Sequence, residues 1–141
     1  MLERGKKPDI GLLVLRVTAG GMLLVHGIGK LTSIPGIFEH FPDPIGLGPT
    51  VSVILTVFAE VVCAVSVMLG FFTRFSAIPI VIMLLVAGLV VHAGDPWQRR
   101  ELAFVYLVPF VTLLFTGGGR YALTHVIFRD RKVSFTEADL G

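Results

Sequence analysis

An all-α membrane protein, a bundle of four transmembrane helices with both termini in the cytoplasm, is what the sequence predicts on three observations. Of its 141 residues, 54% are hydrophobic and 16% charged, against roughly a quarter charged in an ordinary soluble domain. The charged residues punctuate four long apolar runs instead of coating a surface. Lysine and arginine concentrate at one end of those runs, which sets the orientation.

A bilayer core about 30 Å thick needs roughly 20 apolar residues in a helix, because each residue rises about 1.5 Å and the backbone must satisfy its own hydrogen bonds. The first run covers about residues 10–31. Arg4, Lys6 and Lys7 precede it in the manner of a secretory signal, but the run is long, Arg16 interrupts it and no small-x-small cleavage site follows at a suitable distance, so a retained helix is expected. The stretch 32–49 holds Pro35, Pro42, Pro44 and Pro49 with Gly36, Glu39, Asp43 and Gly46, and reads as an outer loop. Its apolar residues Ile34, Ile37, Phe38, Phe41, Ile45 and Leu47 predict that it lies on the membrane surface or caps the bundle.

The second run, about 50–72, and the third, about 75–92, are joined by a tight turn around Phe72-Thr73-Arg74. Gly94-Asp95-Pro96 ends the third, and Trp97 suits the headgroup layer. The fourth run is apolar from Leu102 to Thr116 and reaches helix length as 101–117 when Glu101 and the following glycines extend it. The remainder, 120–141, is expected to be a short interfacial or disordered end of a single membrane domain. Arg4, Lys6, Lys7, Arg74, Arg120, Arg129, Arg131 and Lys132 fall on the terminal side, against Lys30, Arg99 and Arg100 on the other. That bias predicts cytoplasmic termini.

A charge at the bilayer centre costs about 2.5–3.5 kcal/mol on insertion scales, so it has a partner or faces a hydrated cavity. Arg16 and Glu60 are the two such residues. With Arg16 about a turn and a half into the first run and Glu60 near the middle of the second, their heights differ by about 7 Å at 1.5 Å per residue. The sequence therefore predicts an Arg16–Glu60 contact. It reads either as a salt bridge that fixes helix register or as a functional polar site.

Arg16, Gly20, Leu23, Gly27 and Lys30 share one helical stripe, and its two glycines, Gly20 and Gly27, predict a close helix-packing face. His26, Lys30, His92 and Glu101 share the outer depth and form a candidate polar cluster at the mouth. Their histidines read either as proton relays or as side chains reaching the interface. None of these pairs has the i, i+3 or i, i+4 spacing of a single-helix metal site, so no metal is expected. Tyr106 is placed either to hydrogen-bond across the bundle or to pack.

The lone Cys63 sits in an apolar run and reads as a small hydrophobe. A net charge of +2 with scattered positive residues argues against a nucleic-acid partner. No CxxC, phosphate loop on a strand or Ser/His/Asp set is present. The glycines 117–119 read as a flexible helix terminus.

Several elements, in order, resemble the DoxX family of small four-helix membrane proteins. They are Arg16, Gly20 and His26-Gly27-x-x-Lys30-Leu31 in the first helix; Glu60, then Gly70-x-x-Thr73-Arg74; and Glu101-Leu-Ala-x-x-Tyr106, then Gly117-x-Gly119-Arg120-Tyr121-x-Leu123. The resemblance covers about residues 10–123. Thr124 departs from it, standing where relatives commonly carry an aspartate. The resemblance implies a multi-pass protein of the cytoplasmic (inner) membrane, with some relatives tied to quinol oxidase or thiosulfate:quinone oxidoreductase complexes and others to oxidative-stress complexes. The function it implies is an accessory or quinone-interacting subunit of a membrane oxidoreductase or respiratory assembly, with any electron carrier either a quinone or held by a partner, and with membrane subunits or further copies of the chain as partners. The alternatives are a structural protein that assembles a larger complex and, third, a small transporter.

Overall fold

The computed structural model describes residues 6–38 and 40–129. Arg4, Glu39, Arg131 and Lys132, used in the charge and loop readings, and residues 130–141 of the tail lie outside that range. Four long helices run up and down: α1 Lys6–Thr32, α2 Pro49–Leu69, α3 Thr73–Val91 and α4 Trp97–Thr116. Among the described residues there is no strand.

The first three helices are long and apolar enough to cross a membrane. The fourth carries Arg99, Arg100 and Glu101 in its opening turns. Only from Leu102 is it continuously apolar, and it still packs against both α1 and α3. α2 closes the ring by packing on α1 and α3. The side chains pointing away from that ring are large and apolar: Val25, Phe75, Val108 and Phe115 are all well exposed, the inverse of a water-soluble surface and the arrangement a lipid environment requires.

Small residues bring the helices together. Ala59, Ala64 and Ala77 are buried, and the core around them is filled by Leu23, Val67, Ile80, Phe110 and Leu113. α1 meets α2 through its glycines. A methyl group on Gly20 would lie 2.5 Å from Met68 Cγ and 3.0 Å from the Ala64 carbonyl oxygen, and one on Gly27 would lie 2.7 Å from Val61 Cγ2 and 3.0 Å from the Glu60 carbonyl carbon. At Gly27 the obstruction includes backbone, which cannot rotate away. Gly27→Ala is therefore expected to destabilise the bundle by about 2 kcal/mol through overpacking, measured as a shift in the SDS-induced unfolding midpoint in mixed micelles.

The glycine contacts also fix the antiparallel register. Gly27 stands level with Glu60, while Gly70 stands level with Arg16, whose Nη1 lies only 1.7 Å from where a Gly70 Cβ would be. Arg16 and Glu60 are thus separated by the eleven residues from 16 to 27, about 16 Å along the axis, and the expected Arg16–Glu60 contact does not form. The first helix begins at Lys6 and spans 27 residues, about 40 Å. Its opening turns project past the α2–α3 turn, which lowers Arg16 to the terminal end of the bundle.

Arg16 is buried there at 2% exposure, donating from Nη2 to the Tyr121 carbonyl at 2.5 Å, with Nε and Nη1 unpartnered. The described part of the tail is ordered around it. Residues 123–129 are helical, the Arg120 N–H donates to Asp9 Oδ1 at 3.0 Å, and the Thr124 hydroxyl accepts from the Phe72 N–H and donates to the Gly70 carbonyl. Glycines 117–119 are close-packed instead of loose: a methyl on Gly118 would lie 2.5 Å from Thr73 Oγ1, and one on Gly119 3.1 Å from Asp9 Oδ1.

The connection between α1 and α2 contains one helical turn, Ile34–Ile37, then folds back over the bundle. Asp43 holds it. Its Oδ1 accepts from the Leu47 N–H at 2.9 Å and the Ser52 hydroxyl at 3.0 Å, and its Oδ2 from the Gly48 N–H at 2.9 Å. The carboxylate is thereby held below its ordinary pKa, the Gly48 amide contributing most, since donors to the charged form favour that form. A depressed carboxylate stabilises the fold above its unfolded pKa and loses that contribution as pH falls through the folded value. Acidification below the ordinary aspartate range, or Asp43→Asn at neutral pH, is expected to speed amide hydrogen exchange at Leu47 and Gly48.

Candidate functional site

The loop end of the bundle encloses a cavity of about 630 Å³ between all four helices, within the 300–1,000 Å³ of small-molecule sites. Its walls are mostly apolar: Leu23, Leu55, Met83, Leu84 and Ala103 from the helices, with Phe41, Pro42 and Ile45 of the loop across the top. Leu55, Phe58, Ile82 and Leu102 on its rim are about half exposed. They sit on surfaces that face acyl chains, so the cavity opens sideways toward lipid.

Two interruptions of α-helical geometry border it. Phe58–Cys63 of α2 and Ala87–Val91 of α3 are π-helical, a wider winding concentrated at functional sites. The first carries Glu60 inward to 5% exposure. The second leaves the Gly88 carbonyl free to accept from Arg100 Nε at 3.1 Å. Pro79, which cannot donate to the helical ladder, lies in the cavity wall.

Two polar pairs interrupt the apolar lining. Lys30 Nζ reaches Glu60 Oε1 at 2.5 Å. The lysine side chain is 30% exposed and the glutamate 6%, so the carboxylate depends on Lys30 for charge compensation. Glu60 Oε2 has no partner. The second pair is His26 Nε2 with Tyr106 Oη at 3.2 Å, the rings meeting edge to face with centroids 5.6 Å apart. Near the mouth His92 Nδ1 lies 2.7 Å from Asp95 Oδ2, with Arg99 Nη1 at 3.9 Å from the same oxygen.

The structure therefore divides the polar residues singled out in the sequence. His26, Lys30, Glu60 and His92 line one cavity. Gly20 and Gly27 lie in the α1–α2 contact. Glu101 is exposed and does not line the cavity, because it lies on an outward face in the opening turns of α4. Arg16 is at the opposite end. Among the described residues no three His, Cys, Asp or Glu side chains gather as a metal site.

Sequence reasoning missed the Lys30–Glu60 pairing and the His26–Tyr106 pairing. A signal for the first existed: Lys30 lies one turn beyond Gly27 on the same stripe, so any register that seats Gly27 on Glu60 delivers the lysine to the carboxylate. The lining by Phe41, Pro42 and Ile45 had no local signature, since it depends on how the loop folds back.

A Bacillus subtilis (strain 168) protein named "Putative oxidoreductase CatD" is 29% identical over 128 residues, covering 90% of this chain and 94% of that protein. No solved structure matches. The family model described as DoxX matches residues 11–93, a stretch that contains α1 from Gly11 onward, the loop, α2 and α3 and with them Lys30, Glu60 and both π-helical segments. This multi-pass membrane protein belongs to the DoxX family.

Proposed function

We propose that the chain is a quinone-interacting subunit of an oxidoreductase assembly in the cytoplasmic membrane, termini inward, and that the loop-end cavity holds the quinone-type ring. The observation that carries this reading is the pairing of an apolar, laterally open cavity with two hydrogen-bonding pairs on its wall. The name of the Bacillus subtilis relative supports the redox association.

The ring would pack against apolar helix walls, where burial is worth about 25 cal/mol per Å², and an isoprenoid tail would leave past Ile82 or Leu102 into lipid. Tyr106 and His26 can each donate or accept at a ring oxygen, and Lys30 has donors beyond the one it gives Glu60. A bound quinone would itself supply two-electron, two-proton chemistry. The chain's own groups that could hold or take up a proton stand beside it: the imidazole and phenol on one side, the ammonium and the proton-accepting carboxylate on the other.

The reading is tested by titrating menadione into the protein in nanodiscs and subtracting empty nanodiscs. Saturable binding is expected, weakened about tenfold or more by Ala87→Phe, which adds bulk to the lining at a residue outside both polar pairs, because overpacking a bound ligand costs about 1–3 kcal/mol. Binding no greater than to lipid alone would end the proposal.

A further inference from the structure

Resting on the reading of the cavity as a quinone-type site, we infer that Glu60 makes it selective for the reduced, hydroxyl-bearing form of the ring over the dione. The polar groups on the wall differ in what they can do. Lys30 Nζ only donates, and a carboxylate only accepts. The phenol of Tyr106 and the imidazole of His26 do both, and they hydrogen-bond one another at 3.2 Å.

The polar atom in the cavity wall that is both buried and without a partner is an acceptor, Glu60 Oε2. The Glu60 carboxylate is 5% exposed and has acceptor sites for several hydrogen bonds. It receives one, from Lys30 on Oε1, while Oε2 receives none. An acceptor withdrawn from water and left without a donor is costly, and a hydrogen bond to a charged acceptor is among the stronger ones. A ring hydroxyl satisfies that demand. A ring carbonyl can take one of the remaining Lys30 N–H donors, but it leaves Oε2 unmet and brings a second acceptor toward it.

The site is built for this polarity by packing. Glu60 lies on the π-helical turn of α2 and its Cβ would be 2.9 Å from a Gly27 methyl, so neighbouring backbone fixes where the carboxylate stands. No electron-transfer step is required: the preference is one of binding, and it follows the count of donors and acceptors.

The test separates hydroxyl from redox state by using inert probes, a 4-alkylphenol and its methyl ether, each measured by equilibrium dialysis against the protein in nanodiscs with empty nanodiscs subtracted. The phenol is expected to bind at least about tenfold more tightly than the ether, as a charge-assisted hydrogen bond gives. Glu60→Gln is expected to reduce that ratio severalfold while the ether's own affinity stays nearly constant. Equal affinity of the two probes for the native protein overturns the inference and leaves the cavity reading standing. Failure of both to bind above lipid background overturns the two together. The native-protein comparison decides the matter even if the variant does not fold.

Discussion

Lys30→Met is expected to destabilise the protein by about 3 kcal/mol, the low end of the cost of stripping a buried charge of its partner. The low end applies because Lys30 itself is 30% exposed, so the loss falls almost wholly on Glu60, which has one partner within hydrogen-bonding distance and stands at 5% exposure. Adding Glu60→Gln should recover most of the loss, to within about 1 kcal/mol of the native protein, because two neutral groups leave no uncompensated charge. SDS titration in mixed micelles, followed by helical circular dichroism, gives both values. A Lys30→Met variant as stable as the native protein would show that the carboxylate is compensated elsewhere.

Gly70→Ala is expected to cost about 3 kcal/mol for a different reason, combining backbone strain with overpacking. Gly70 adopts φ +76°, where an L side chain is strained. It also ends α2, with its N–H on the Val67 carbonyl and the Phe71 N–H on the Ser66 carbonyl. A methyl group there would fall 1.7 Å from Arg16 Nη1 and 2.5 Å from Ala122 Cα. The arginine is enclosed and the alanine contact is backbone, so neither can yield cheaply. The expected signature is loss of stability accompanied by release of the 117–128 segment, read as faster hydrogen exchange at the Arg120 and Thr124 amides. Unchanged exchange there would mean that this segment is not held through the Gly70 turn.

The four-helix membrane architecture was legible because it follows from run length and hydropathy, which bilayer thickness imposes directly. The stripe of Arg16, Gly20, Leu23, Gly27 and Lys30 was legible as well, and four of these five are buried. What could not be read was the vertical register. Depth counted from the start of an apolar run places Arg16 near Glu60, whereas α1 begins at Lys6 and overhangs the α2–α3 turn. One consequence is measurable: a double-mutant cycle should give coupling near zero between Arg16 and Glu60 and about 1 kcal/mol or more between Lys30 and Glu60. Reversing the first pair, Arg16→Glu with Glu60→Arg, is expected to compound two losses instead of cancelling them.

The candidate site was legible only in its ingredients. Glu60 was chosen because a charge at membrane depth is costly, and His26, Lys30 and His92 because they share the outer depth; the structure brings all four to one cavity. Their pairings depend on helix rotation. The π-helical turns at Phe58–Cys63 and Ala87–Val91 alter that rotation, and no residue type announces such a turn. Glu101 illustrates the limit: it shares the depth of the cluster, but the α4 helix turns it outward.

The central claim is that a lipid-soluble ring enters the loop-end cavity from the side and rests against the Lys30–Glu60 and His26–Tyr106 pairs. A photoactivatable quinone analogue, irradiated in nanodiscs and mapped by peptide mass spectrometry, tests it most directly. Labelling is expected on cavity residues such as Leu55, Met83 and Ala103, competed away by menadione. Labelling spread over lipid-facing Val108 and Phe115, with no competition, would contradict it.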